Sequence, residues 1–170
     1  MEMMQEGAHI ARHESARVAA LPHAGEYLTY RVGAEEYGVD IQTVQEIRSY
    51  EAPTRIPGAP RFVKGVVNLR GVIVPIVDLR LRLECEQADY TPFTVVIVLA
   101  ARQRVVGVVV DSVSDVLDLP GDTIKPPPEL ADCPAADFIT AIAGVSERML
   151  MLVDMDRLLG ATLGQLPEAL

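Results

Sequence analysis

The sequence predicts a mainly β fold in two related lobes, on three observations. From Phe62 to Arg80, two short apolar runs rich in β-branched residues meet at Arg70-Gly71. Gly71 takes a positive φ without a Cβ clash, and each run is too short for a buried helix, so the stretch reads as a β-hairpin. Further apolar runs of strand length follow, and two pairs of them, Phe93–Leu99 with Val105–Asp111 and Ile139–Val145 with Met149–Asp154, are each joined by a short turn. Finally, Val77-Asp78-Leu79-Arg80-Leu81 rhymes with Val153-Asp154-Met155-Asp156-Arg157-Leu158-Leu159, about half the ordered chain apart, as an internal repeat would.

Taken in order, Met1 to about Gly25 shows little apolar periodicity and reads as a flexible lead-in. Glu26–Val32 alternates as a strand, Gly33–Glu36 turns, and Tyr37–Val39 returns. Asp40 then suits the cap of a short helix through Arg48, because Ile41, Val44 and Ile47 recur every three residues. Ala52–Pro60 is an irregular connector with three prolines. In the hairpin, Val72, Val74 and Ile76 share one face and Ile73 and Val77 the other, so this strand lies between packed layers. Pro75 lacks an N–H and points to an edge, a bulge or a switch between sheets.

Asp78 begins a helical turn over Leu79–Leu83. Phe93–Leu99 and Val105–Asp111 are strands, and Ser112–Leu119 is a strand or a helical turn. Pro120–Pro134 reads as an extended loop with five prolines. Ile139–Val145 and Met149–Asp154 form a last hairpin, and Met155–Leu163 a short amphipathic helix.

Composition narrows the function. The 170 residues carry a net charge of −9, and no basic cluster is long enough to hold a nucleic-acid backbone. Aromatics are few and Trp is absent, so the core is aliphatic. Cys85 and Cys133 are expected to be reduced thiols in a cytoplasmic protein. No apolar run reaches the about 18 residues of a membrane span, and the N-terminus lacks a hydrophobic signal core.

Reactive constellations are equally scarce. His9, His13 and His23 all lie in the lead-in, and no third ligand joins His9 and His13 to hold a metal. There is no core histidine to serve a nucleophile and no phosphate-cradling glycine loop, so neither catalysis nor a cofactor is expected. Asp78, Asp111 and Asp154 each end an apolar strand, as a receiver's phosphoacceptor would. The gaps between strands are too short for crossover helices, which favours capping aspartates. Glu46 and Arg70 remain, as solvated charges or as a partly buried pair fixing the helix against the hairpin at a protein contact.

Several motifs resemble the CheW chemotaxis adaptors. They are Lys64-Gly65-Val66-Val67-Asn68-Leu69-Arg70-Gly71, Val74-Pro75-Ile76-Val77-Asp78-Leu79-Arg80, Glu35 to Ile41, Val44 to Arg48, Val109 to Leu117, and Arg148-Met149-Leu150. The resemblance implies a flexible extension over 1–25, a CheW-like domain over 26–163 and a tail over 164–170. It implies two intertwined five-stranded, Src-homology-3-like β-barrels around a shared core, with a few short helices.

It further implies a non-enzymatic adaptor that joins chemoreceptor cytoplasmic tips to the regulatory domain of the CheA histidine kinase. Such an adaptor is cytoplasmic and recruited to membrane-associated receptor arrays, without inserting into the membrane. Val44, Gly65, Arg70, Val95, Gly107 and Val116 are implied at or supporting the receptor groove. Glu46, Lys125 and Leu130 are implied on the kinase side, the last two on a loop used in ring contacts. Many relatives carry Arg and an aromatic where this chain has Lys125 and Leu130, and Lys lacks Arg's planar fork. The alternatives are a CheW-like adaptor of a non-flagellar system and a receiver-like phosphoacceptor.

Overall fold

The computed structural model describes residues 24–83, 85, 88–127 and 138–164. The first half runs β1 (Gly25–Val32), β2 (Glu35–Asp40), a 3-10 turn (Ile41–Thr43), β3 (Val44–Ser49), β4 (Val63–Leu69), β5 (Val72–Asp78) and α1 (Leu79–Arg82). The second runs β6 (Val95–Ala101), β7 (Arg104–Val110), β8 (Ser112–Leu119), a 3-10 turn (Gly121–Thr123), β9 (Ile124–Lys125), β10 (Ile139–Val145), β11 (Arg148–Val153) and α2 (Met155–Gly164). One sheet has the order β8-β1-β2-β11-β10-β9 and forms the first lobe. The other, β3-β6-β7-β5-β4, forms the second. The fold is mainly β with two short helices, as the sequence predicts.

The β4–β5 hairpin forms where the apolar runs meet. Leu69 pairs with Val72, and the two residues between them are left-handed, Arg70 at φ 52° and Gly71 at φ 89°. Asn68 Oδ1 accepts the Gly71 N–H at 2.8 Å. Two other hairpins turn the same way, through Arg102-Gln103 and Ser146-Glu147. Left-handed residues at both central positions match the twist of the flanking strands. Pro75 lies in a strand flanked on both sides, yet the parallel pairing of β5 with β7 begins only at Ile76. Its missing N–H therefore falls just outside that ladder.

One expected element is corrected. Asp40 does act as a cap, its carboxylate accepting the Gln42 N–H at 2.9 Å, but the helical turn ends at Thr43 and Val44 begins β3. The three-residue spacing has a different cause. A bulge between Val44 and Glu46 adds one residue, so Val44 opposite Leu99 and Ile47 opposite Ile97 share a face of the strand. Pairing with β6 overrides the local helical pattern. Ser112–Leu119 resolves as strand β8. Phe93, expected at the start of a strand, lies before β6 and is 74% exposed.

The rhyme at the two aspartates extends through the whole fold. Asp78 donates its N–H to the Phe62 carbonyl at 2.7 Å, and Asp154 to the Phe138 carbonyl at 2.9 Å, over equal intervals of chain. Each carboxylate caps the helix that follows, Asp78 accepting the Arg80 N–H and Asp154 the Asp156 N–H. Val66 opposite Pro75 matches Ile142 opposite Met151, and the bridge Thr54–Val66 matches Lys125–Ile142. The sixth strand of the first lobe, β9, is thus the counterpart of that single bridge.

The repeat explains how the lobes intertwine. β3 follows β2 in sequence but pairs with β6, whereas β8 follows β7 but pairs with β1. Each lobe is built from strands of both halves of the chain: β1 and β2 join β8 to β11 in the first, and β6 and β7 join β3 to β5 in the second. Leu28, Tyr30, Ile97, Leu99 and Val108 lie in the core shared between lobes. Smaller clusters fill each lobe, around Leu119, Leu150 and Leu152 in the first and Val74, Ile76 and Val98 in the second. Pairing is antiparallel except at β5–β7 and β2–β11, so this is not the parallel sheet of a receiver.

Candidate functional site

The residues singled out from the sequence fall into three environments. Gly65 and Gly107 are buried in sheets. Gly65 has φ +143°, and a Cβ there would stand 2.0 Å from the Thr54 carbonyl oxygen, so only glycine fits beneath the crossing connector. At Gly107 a Cβ would stand 2.6 Å from Ile76 Cδ1. Its counterpart Gly38 meets Leu152 in the same way, at 2.8 Å. Neither Gly65 nor Gly107 presents a side chain to a partner; each sets how closely strands approach.

Val44 and Val95 are half-buried and pack against the shared core. Val116, on edge strand β8, is exposed, as is Lys125 on β9. Leu130, Cys133 and the three histidines lie outside the described residues.

Glu46 and Arg70 do meet. Glu46 Oε2 accepts from Arg70 at 2.9 Å, and its Oε1 accepts from Arg48 at 3.2 Å. These two hydrogen bonds hold the Glu46 carboxyl below its ordinary range. The expectation of a partly buried pair needs correction, because the Arg70 side chain is 71% exposed. The pair joins strand β3, not a helix, to the β4–β5 hairpin. Nearby stretches expose aliphatic surface: Ile47 on β3, and Val72 and Ile73 on β5.

Sequence reasoning missed a buried ionic hub. Arg80, read only as a turn charge, is closed to solvent. It grips both Asp78 oxygens at 3.0 Å, donates to Asp111 Oδ1 at 3.1 Å and also reaches the Asp89 carbonyl. Burial alone would lower the guanidinium pKa, but the bonds and charges of Asp78 and then Asp111 outweigh it and raise the pKa. Asp111 Oδ2 in turn accepts the Gly33 N–H at 2.7 Å, which ties this second-lobe arginine to the β1–β2 turn of the first. The Arg80 guanidinium also lies 4.9 Å from the centre of the Tyr90 ring, which stacks on Tyr50 at 4.3 Å. The signal was present in the strand-end aspartates, but their common cation shows only in three dimensions.

Among the described residues, no group of three His, Cys, Asp or Glu side chains is placed to hold a metal ion. No helix among them is long and apolar enough to cross a membrane.

Two intertwined β lobes with exposed ion pairs and aliphatic strand edges define a protein-interaction scaffold. The family model described as the CheW-like domain matches residues 26–162, and the chain belongs to that family. It is 53% identical over 136 residues to the chemotaxis protein CheW of Klebsiella aerogenes, covering 80% of this chain and 82% of that protein. It is 30% identical to the protein FrzA of Myxococcus xanthus, over 79% of this chain and 84% of that one. Among solved structures, the scaffolding protein TtCheW from Thermoanaerobacter tengcongensis superimposes with a TM-score of 0.74 at 28% identity. That match covers 79% of this chain and 92% of the other.

Proposed function

We propose that this protein is a chemotaxis adaptor, joining chemoreceptor cytoplasmic tips to the regulatory domain of CheA and controlling the kinase without chemistry of its own. The observation that carries this reading is the family match over nearly the whole two-lobed unit, 26–162. The working unit is residues 26–163, acting in the cytoplasm at membrane-associated receptor arrays. Val44, Val95 and Val116 supply apolar contact to the receptor tip, with Arg70 beside them, while Gly65 and Gly107 hold the strands that carry it. Glu46 serves the kinase side. Lys125 and Leu130 serve a ring-building contact, which a lysine in place of the fork-shaped arginine makes weaker.

An adaptor transmits a signal only if its contacts differ between kinase-on and kinase-off states. Exposed ion pairs and edge strands suit such reversible contacts better than a fully buried interface does. Capture of native partners on the purified full chain tests the reading. Recovery of a receptor together with CheA is the expected result, and recovery of neither overturns it.

A further inference from the structure

Because the lobes repeat, a surface feature of one has a register-defined counterpart in the other. One step past the bulge of β3, Glu46 lies opposite Val98 and Ile47 opposite Ile97. One step past the matching irregularity of β8, Asp115 lies opposite Thr29 and Val116 opposite Leu28. Glu46 therefore corresponds to Asp115, and Ile47 to Val116. Exposure follows the same match, 44% for Ile47 and 46% for Val116. Val44 opposite Leu99 likewise corresponds to Val113 opposite Tyr30, and both valines pack against the shared core.

The carboxylates are held differently. Among the described residues, Glu46 pairs with Arg48 and Arg70, both well exposed. Asp115 belongs to a denser network. Arg148, just past the β10–β11 turn, donates to Glu36 Oε2 at 2.6 Å and to both Asp115 oxygens at 3.3 and 3.4 Å. The Thr29 hydroxyl, fully buried, donates to Asp115 Oδ1 and accepts the Asp115 N–H at 3.1 Å. These bonds fall where the β1–β8 register shifts, so side chains hold the strand where its backbone ladder is broken. β8 is an edge strand with β1 on one side only, the arrangement in which register is least secure.

We propose that Asp115 and Arg148 are positioning residues of the first lobe. They clamp bulged strand β8 to β1, β2 and β11, so that Val113 and Val116 stand as the counterpart of Val44 and Ile47 for docking the receptor tip. The inference rests on the adaptor reading and adds that the docking surface is built twice, with a rigid clamp in one lobe and an open ion pair in the other.

The full chain with Arg148→Met, Asp115→Asn or Arg148→Lys tests this by backbone hydrogen exchange and by binding to soluble receptor tips. Both neutralising variants are expected to speed exchange in β8 by about tenfold while β6 and β7 keep their protection. They also weaken tip binding several-fold, and Arg148→Lys recovers part of both losses. Unchanged β8 exchange overturns the clamp, as does an equal rise across β6 and β7, which marks a general loss of stability. Wild-type protein that binds no receptor tip overturns the adaptor reading alone, and the exchange contrast then decides the clamp.

Discussion

Arg80 and Asp78 form a two-pronged ion pair, Nε to Oδ1 and Nη2 to Oδ2 both at 3.0 Å, with neither side chain exposed to solvent. Replacing both partners with apolar groups would cost little, but removing one leaves a charge without its mate in a closed site. Arg80→Met is expected to lose about 3–5 kcal/mol of stability in urea unfolding. Because Asp111 relays the arginine to Gly33, the loss should loosen the β1–β2 turn as well as α1. A loss under 1 kcal/mol would show that the pair contributes no more than a surface bridge.

The two glycines differ in what they meet, so alanine should separate them. At Gly65 the neighbour is backbone, with the Thr54 carbonyl 2.0 Å from an added Cβ, and φ is positive. At Gly107 the neighbours are the side-chain ends of Ile76 and Val96, at 2.6 and 2.8 Å. Side-chain ends give way where a backbone carbonyl does not. Gly107→Ala is expected to cost about 1–3 kcal/mol as an overpacked core, and Gly65→Ala more than that. Thermal melts of the two variants check the order.

All five tyrosines have their phenol pKa raised, each with burial as the largest cause. Tyr27 is pushed up to about 12 by burial and then by the Asp40 charge. Tyr50 reaches about 12 through burial and its bond to Tyr90. Raised folded values mean that the stability they report is fully present below the ordinary phenol pKa of about 10. It is lost as pH rises toward 12. Absorbance titration should therefore show tyrosinate appearing above the ordinary phenol range, with the Tyr27 and Tyr50 share rising together with unfolding. Stepwise ionisation near pH 10 in a folded protein would contradict this.

Asp115 offers the acid-side complement. Hydrogen bonds from Thr29 and Arg148 lower its pKa, so its contribution is present above the ordinary aspartate value of about 4 and fades as pH falls through the folded value. The stability gap between wild type and Asp115→Asn should hold at neutral pH and close in acid. A gap independent of pH would assign the effect to packing.

Local signals made much of the fold legible. The Arg70-Gly71 turn and the caps at Asp78 and Asp154 depend on neighbours in sequence, and each forms as read. Strand β3 was not legible, because the bulge at Val44–Glu46 gives a strand the three-residue period of a helix. The repeat showed only at its two aspartates. Its remainder lies in strand registers, which no linear pattern reports. The Arg80 hub and the Arg148 clamp join residues far apart in the chain. That Glu46 and Arg70 pair was one of two readings the sequence allowed, but it did not show that the pair joins a strand to the hairpin or that the Arg70 side chain stands exposed.

The most direct test of the adaptor account is CheA autophosphorylation in the presence of receptor tips, with and without this protein. The account predicts a ternary complex and raised kinase activity. It also predicts loss of both in Arg70→Ala, whose melting transition stays in place because that side chain is 71% exposed. Kinase activity indifferent to the wild-type protein, with no binding to receptor tip or CheA, would contradict it.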